Sequence, residues 1–272
     1  MYIVADIGGT KTRVAASRDL ESCDEPTIFE TPKEYENGIK SLKEVAELLT
    51  GGEKIQGVCI GVPGVVSEDY GALLTAPNLQ GWMNKPLAQD LGKLFDAKVH
   101  LENDTALCGL GEAMKGAGVG AHVLIYMTVS TGVGGVRIVN GVIDSPSHSA
   151  EIGYQYINIG DHLQRFSNLI SGRAIEERFG KKPYELPKDD PVWEELARYV
   201  AIGVHNSILH WTPDRVVLGG SMFNEIGISV ERVKVHLREI MKAFPEIPEV
   251  VHARLGDVGG LWGGLVRLKQ LQ

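Results

Sequence analysis

Two hydrophobic periods alternate along this chain. Residues 2–7 are a continuous apolar run broken only by Asp6, the pattern of a buried strand. Residues 13–17 alternate again, so residues 8–11 read as the turn of a hairpin. A short strand is expected at 27–30, followed by a turn at Thr31 and Pro32. Tyr35, Ile39, Leu42, Val45 and Leu49 recur at helical spacing and predict an amphipathic helix over 33–49. Gly51 and Gly52 stop it. Residues 55–62 are nearly all apolar and predict a second buried strand. A tight turn at 61–64, a hairpin over 65–74, a loop at 76–82 and a short helix at 86–95 follow. Residues 99–102 read as a strand running into Asn103 and Asp104, with a helix from Thr105 to about Met114.

A glycine-rich break at 116–120 divides the chain, and the order then starts over. A strand is expected at 121–129, a glycine turn at 130–135, a strand at 136–139 and a hairpin at Asn140 and Gly141. This repeats architecture and not sequence. Residues 147–160 have irregular strand character, and a helix is expected at 169–179. Trp193, Leu196, Val200, Val204 and Ile208 line up along a long helix at 192–211. A strand at 215–218 ends in Gly219 and Gly220, before a helix at 230–244, a strand at 250–255 and a closing helix at 259–268. Hairpins followed by alternating helices and strands in each half predict two α/β domains facing a cleft. The expected boundaries are 1–115 and 116–255, with a C-terminal helix in 256–272 packing back on the first domain.

Composition narrows the class of function. The hydrophobic share of 43% and the charged share of 23% over 272 residues are ordinary for a globular protein. A net charge of −8 argues against nucleic acid or an anionic membrane as partner. No run is long and apolar enough to span a bilayer, and the first residues carry no signal-peptide pattern. Cys23, Cys59 and Cys108 are scattered, which fits reduced thiols in a cytoplasm.

The first turn carries the clearest candidate chemistry. Gly8 and Gly9 let the backbone approach a ligand closely, and their amides with the Thr10 and Thr12 hydroxyls suit a phosphate. Asp6 suits Mg²⁺, directly or through water. A plain hairpin with a surface aspartate accounts for the same residues equally well. A Walker P-loop is absent, and so is a Gly-x-Gly-x-x-Gly opening a helix. Three glycine turns stand instead, at 6–12 (Asp-Ile-Gly-Gly-Thr-Lys-Thr), 130–135 (Ser-Thr-Gly-Val-Gly-Gly) and 218–221 (Leu-Gly-Gly-Ser). Asp104 precedes an apolar-periodic helix, where a carboxylate commonly caps free amides. The same position keeps it ionised, as a general base requires.

The order of these turns resembles the sugar-kinase and actin superfamily, and within it the ROK family (repressor, open reading frame, kinase). The resemblance covers essentially the whole chain. It also rests on residues 61–64, Asn78 and Leu79 after Pro77, Gly81 and Trp82, the 102–104 Glu-Asn-Asp, the 150–153 Ala-Glu-Ile-Gly, the 255–257 Leu-Gly-Asp, and Gly263 with Gly264. It implies a two-domain actin-like ATPase, ribonuclease H-like fold that closes over its substrates, and a cytoplasmic homodimer. It implies an ATP- and Mg²⁺-dependent kinase acting on a hexose at C6, with glucose suggested by the 77–82 loop. Asp104 would be the general base. Asn78, Asn103, Asp104, Glu151 and Tyr154 would meet the sugar. Asp6, Gly8, Gly9, Thr10, Lys11, Thr12, Ser130, Thr131, Gly132, Gly134, Gly219 and Gly220 would meet the nucleotide, with Asp6 also serving Mg²⁺.

The chain departs from the family pattern in three places. Tyr154 stands where the family has His, and Ser130 replaces a usual Gly. The cysteine-rich segment that binds structural zinc is missing, since no cysteine lies between Tyr154 and Ser171, so no zinc is expected. The last Glu of that segment falls near Ser167, and His162 or Arg165 could substitute for lost contacts. His148 and His162 otherwise read as surface histidines. Two rival readings stay open: polyphosphate as the donor, and a non-catalytic sugar sensor. No residues precede Asp6 that could form the helix-turn-helix of a ROK repressor, so DNA binding is not expected.

Overall fold

The N-terminal apolar run forms β1 (Tyr2–Ile7), paired antiparallel to β2 (Lys11–Ser17), which pairs in turn with β3 (Thr27–Glu30). The computed structural model describes residues 1–76, 78–144, 150–224 and 227–272, so Pro77 and His148 lie outside the described residues. The chain divides into two compact units, Met1–Met114 with Asp257–Gln272 and Lys115–Asp144 with Ala150–Gly256.

In the first unit α1 (Tyr35–Thr50) is followed by β4 (Gly57–Val62), the short hairpin of β5 (Val65–Val66) and β6 (Leu73–Thr75), and α2 (Leu87–Phe95). Then come β7 (Val99–Asn103) and α3 (Asp104–Lys115). The main sheet has the order β3-β2-β1-β4-β7, with β4 parallel to both β1 and β7. Every residue of β4 is buried, because both faces of the sheet are covered. Ile3, Ala5, Ile7, Val58 and Ile60 pack with Leu42, Trp82, Leu87 and Leu91 on one face. Val4 and Cys59 pack on the other with Leu107 and three leucines of the C-terminal helix, Leu261, Leu265 and Leu268. The period of two along β1 decides which side chain joins which core.

The second unit opens with β8 (Val123–Val129), β9 (Val133–Val139) and β10 (Val142–Ile143). Asn140 and Gly141 both have positive φ, 53° and 74°, as a two-residue hairpin turn that follows the strand twist requires. The chain continues through β11 (Tyr156–Ile159), β12 (His162–Arg165), α4 (Ser167–Ile170), α5 (Gly172–Phe179) and α6 (Val192–Trp211). It then forms β13 (Arg215–Gly219), α7 (Val230–Ile240) and β14 (Glu249–His252). The sheet order β10-β9-β8-β13-β14 repeats that of the first unit: an antiparallel meander with two parallel strands added beside its first strand. The core joins Ile125, Met127, Val216 and Leu218 of this sheet to Val200, Val204 and Ile208 of α6.

Several expected elements differ. Within the stretch 147–160, expected to be irregular with strand character, Tyr156–Ile159 is a strand, and it pairs with an unexpected strand at His162–Arg165 to form a hairpin. The helix expected at 169–179 is broken at Ser171, whose extended backbone (ψ 156°) lets its Oγ accept the Ala174 N–H at 3.2 Å and cap α5. The helix expected to reach Phe244 stops at Ile240, and the strand expected to reach Leu255 stops at His252.

The chain closes with α8 (Gly259–Gln270), which returns to the first unit. A Cβ on Gly263 would fall 1.8 Å from the Leu107 carbonyl oxygen, and one on Gly111 would fall 2.3 Å from that of Gly259. α8 and α3 are therefore in backbone contact, which glycine alone permits. Among the described residues no helix is long and apolar enough to cross a membrane.

Candidate functional site

In the first unit the parallel strands β1, β4 and β7 end together, and their carboxyl ends carry the polar residues. Asp6 lies opposite Gly61 in the β1–β4 register, and Gly61 lies opposite Glu102 in the β4–β7 register. A Cβ on Gly61 would lie 3.4 Å from the Asp104 Cα and 3.6 Å from Asp6 Oδ1. The small residue between the outer strands thus lets two carboxylates approach each other. Open α/β sheets use this end of their strands for ligands.

The Asp6 carboxyl is mostly buried, and Arg13 Nη1 stands 4.0 Å from its Oδ2. Its pKa is pushed up to about 7. Burial contributes most to this, Asp104 adds to it, Arg13 opposes it and Asp257 adds again. Arg13 Nη2 donates to Asp257 Oδ2 at 2.6 Å, just ahead of α8. Gly260 of α8 packs on the carboxyl itself, since a Cβ there would be 3.4 Å from Asp6 Cγ. Carboxylate oxygens are the ligands a hard cation prefers. Among the described residues no group of three or more His, Cys, Asp or Glu is placed to hold one, so Asp6 could meet Mg²⁺ only with phosphate or water oxygens completing the shell.

At the start of α3 the capping role falls to Asn103, where the local pattern suggested Asp104. Asn103 Oδ1 accepts the Ala106 N–H at 2.9 Å, and its Nδ2 donates to the Gly64 carbonyl at 2.9 Å. One N–H and one lone pair of the amide remain beyond these bonds. Asp104 is the first helical residue, and its Oδ1 accepts the Thr105 N–H at 2.6 Å.

The turn between β1 and β2 is closed by the Gly8 N–H donating to the Lys11 carbonyl at 2.9 Å. Thr10 and Lys11 are exposed. Thr12 is turned inward, 1% exposed, and its Oγ1 shares a 2.9 Å hydrogen bond with Thr31 Oγ1. The sequence suggested two hydroxyls for a ligand at this turn; the structure presents Thr10 and places Thr12 beneath it. A Cβ on Gly9 would be 2.6 Å from the Asn78 Cβ, so Asn78 lies directly on the turn. Glycine at position 9 is what permits the contact.

In the second unit the ends of β8 and β13 carry the other two glycine turns. The Ser130 N–H donates to the Gly132 carbonyl at 2.9 Å, and the Gly172 N–H donates to the Ser130 carbonyl at 2.7 Å. Ser130 Oγ accepts the Ser221 N–H at 3.1 Å, so it fastens one glycine turn to the other and keeps its own O–H to donate. Gly220 has φ +95°, and a Cβ there would strike the Val129 carbonyl oxygen at 2.4 Å. Thr131 and Gly132 are exposed, Gly134 is half-buried and Gly219 is buried.

Glu151 and Tyr154 are held beside this turn by close packing. Ile152 fills the space over Gly135, where a Cβ would meet its Cδ1 at 2.2 Å, and Gly153 lies against the Val133 carbonyl. Both side chains are exposed in the unit. The protein around the Glu151 carboxyl still raises its pKa by desolvation. Tyr154 lies under the Arg165 guanidinium, 4.6 Å from ring centroid to Cζ. The β11–β12 hairpin after it is anchored by Ile157 and Phe166 in the core, and Phe166 sits where a Gly203 side chain would be. His162 is exposed at its tip.

Sequence reasoning missed Arg13, Thr31 and Lys33. Each lies in or beside a strand without a motif of its own, and each acts through partners distant in sequence. Asp257 was visible as part of the Leu-Gly-Asp motif, without a role.

The ROK family profile matches residues 2–270. An N-acetyl-D-glucosamine kinase of Escherichia fergusonii is 27% identical, with 97% of each chain covered. A fructokinase of Pediococcus pentosaceus is 28% identical over 72% of this chain and 73% of its own. The crystal structure of a ROK hexokinase from Thermus thermophilus superimposes with a TM-score of 0.84 at 26% identity, covering 99% of this chain and 98% of its own. A ROK glucokinase from Streptomyces griseus, in complex with glucose and AMPPNP, has a TM-score of 0.83 at 23% identity over 100% and 99% of the two chains, a likeness of fold. The duplicated sheet is that of the actin-like ATPase fold these kinases share. The chain belongs to the ROK family, and the relatives named here are sugar kinases.

Proposed function

We propose that this protein is a kinase that transfers the γ-phosphate of ATP to a hexose hydroxyl, at C6, with glucose as the first substrate to test. The observation that supports it most is the pairing of Asp6 and Asp104 at the ends of β1 and β7, beside the open turn of Gly8, Gly9 and Thr10. Phosphoryl transfer needs a base for the attacking hydroxyl, donors for the phosphate oxygens and a place for a cation.

Asp104 is the base. Its Oδ1 is fixed by the Thr105 N–H, which sets the rotation of the carboxylate. The sugar oxygen bonds to the γ-phosphorus, the bond to the β-phosphate oxygen breaks, and Asp104 takes the hydroxyl proton. The amides of Gly9 and Thr10 and the Thr10 hydroxyl bind phosphate oxygens in the first unit, while the Gly8 amide is taken up by the Lys11 carbonyl that closes the turn. Ser130, Thr131, Gly132 and Gly134 do so in the second, where the Ser130 hydroxyl donates with its one hydrogen. Gly219 and Gly220 let the backbone pass close under the adenosine. Asp6 holds Mg²⁺ directly or through water, and the ion when bound neutralises charge on the transferring phosphoryl group. Asn78, Asn103 and Glu151 bind sugar hydroxyls, and Tyr154, where the family has His, sets which sugar is accepted. The same reading makes the enzyme a cytoplasmic homodimer, which light scattering on the purified protein checks.

The test is ADP production with ATP and Mg²⁺ over glucose, mannose, fructose and N-acetylated hexoses. Turnover on one of them is expected, reduced at least about a hundredfold in Asp104→Asn with sugar binding retained. Turnover with polyphosphate and not with ATP would replace the donor. Absence of turnover with either donor on every sugar would sink the kinase reading in favour of a sensor.

A further inference from the structure

Three residues between β3 and α1 each reach a different part of the first unit's site. The Thr31 N–H donates to the Thr10 carbonyl at 2.9 Å, and its Oγ1 donates to the Gly8 carbonyl at 2.7 Å. The Thr31 hydroxyl has one hydrogen, already given to Gly8, so Thr12 is the donor in their shared bond. The Pro32 carbonyl accepts the Trp82 indole N–H at 3.0 Å. Lys33 Nζ donates to the Gly9 carbonyl at 2.5 Å and reaches the Asn78 carbonyl at 3.4 Å. The Lys33 carbonyl leaves room for no side chain at Gly81, where a Cβ would be 2.6 Å away. The strap thus holds the phosphate turn with one end and the sugar loop with the other, where Gly9 and Asn78 touch.

The direction of these bonds matters. A trans peptide is planar, with its C=O and N–H pointing opposite ways. Holding the Gly8 carbonyl from the strap side therefore turns the Gly9 N–H to the other side. Holding the Gly9 carbonyl with Lys33 does the same for the Thr10 N–H. Two successive amides turned one way form an anion-binding concavity. Lys33 adds a positive charge behind it and keeps a third N–H.

We propose that Lys33 is a positioning residue for phosphoryl transfer. Its ammonium fixes the Gly9–Thr10 peptide toward the donor phosphates and ties it to the Asn78 carbonyl, so that binding of donor and binding of sugar are coupled. The inference rests on the kinase reading above.

The experiment measures the Kd of the accepted sugar with and without a non-hydrolysable ATP analogue, together with steady-state kinetics. Wild type is expected to bind sugar at least fivefold more tightly with the analogue present. In Lys33→Met that gain falls below twofold and the KM for ATP rises at least fivefold, while sugar Kd without nucleotide stays within twofold. Lys33→Arg, which keeps the charge and reach, restores most of the gain. Lys33 is exposed, so both variants are expected to fold, and melting curves check this. A wild type that turns over sugar without coupling, or a Lys33→Met with wild-type coupling and KM, overturns the inference and leaves the kinase reading standing. A wild type that turns over no sugar overturns both.

Discussion

Asp6 carries a cost in stability that its proposed role at a cation would account for. Its folded pKa of about 7 stands above the ordinary 3.8. The folded state therefore binds this proton more tightly than the unfolded chain does. The resulting penalty is absent below about pH 4, grows as pH rises through the interval, and is complete above about pH 7. At about 1.4 kcal/mol per pH unit it amounts to a few kcal/mol. Asp6→Asn is expected to raise the melting temperature at pH 8 and leave it nearly unchanged at pH 4, while kinase turnover is lost. Added Mg²⁺ should raise the wild-type melting temperature at pH 8 and not that of the variant. Equal melting at pH 8 would show that the carboxyl is not strained by its surroundings. Asp6, Gly8 and Gly9 were legible because they form a contiguous motif whose chemistry is local. Lys33 was not, because its partners Gly9 and Asn78 lie 24 and 45 residues away. Thr12 and Asn103 were legible as polar residues but not in their orientation, which packing decides.

Helices were read best where one apolar stripe faces one core. α6 follows Trp193, Leu196, Val200, Val204 and Ile208 along its length, and all five are buried. The stripe read on α1 is displaced by part of a turn, since Gly38, Leu42 and Ala46 face the core. Gly38 is needed there because a Cβ would lie 2.0 Å from the Trp82 ring, a contact no local pattern carries. The β12 strand escaped notice because three of its four residues are exposed and show no alternation. The α3–α8 crossing gives a sharper test of close approach. Alanine in a helix is favoured over glycine by about 1 kcal/mol. At Gly263 the added methyl meets a helix backbone carbonyl, which cannot move aside as a side chain can. Overpacking of this kind costs roughly 1–3 kcal/mol or more, so sterics win over propensity. Gly263→Ala is expected to destabilise by about 2 kcal/mol or more in chemical denaturation. Gly264→Ala, whose added Cβ meets side-chain atoms of Val4 at 3.1 Å and 3.3 Å and of Cys59 at 3.8 Å and no backbone, should cost less. The reverse ranking would show that α8 packs differently.

The two units repeat one sheet order, yet they depend on the chain in different ways. The strands and helices of the second unit all lie between Lys115 and Gly256. The first unit closes only when α8 arrives from the end of the chain. The repeated order of turns made this duplication legible in the sequence, because strand, glycine turn and strand recur as local patterns. The weight carried by α8 was not legible, since it depends on what the helix buries. Leu261, Leu265 and Leu268 pack on the sheet face of Val4 and Cys59 together with Leu107 of α3. Arg267 also stands 3.4 Å from the buried Glu102 carboxylate, which His100 approaches at 3.5 Å. Three buried leucines at roughly 2–5 kcal/mol each already match the roughly 5–15 kcal/mol that stabilises a whole domain. Leaving Glu102 without its guanidinium adds the cost of a buried charge that has lost its strongest partner. A chain ended after Gly256 is therefore expected to lose amide protection in β1, β4 and β7 while β8 and β13 keep theirs, read by hydrogen exchange. Its kinase turnover should vanish with the first unit, because Asp257 and Gly260 reach the site from the same segment. Protection of β1 and β4 surviving in the shortened chain would mean that the first unit's sheet is held by α1, α2 and α3 alone, and that α8 serves the Asp6 site more than the core.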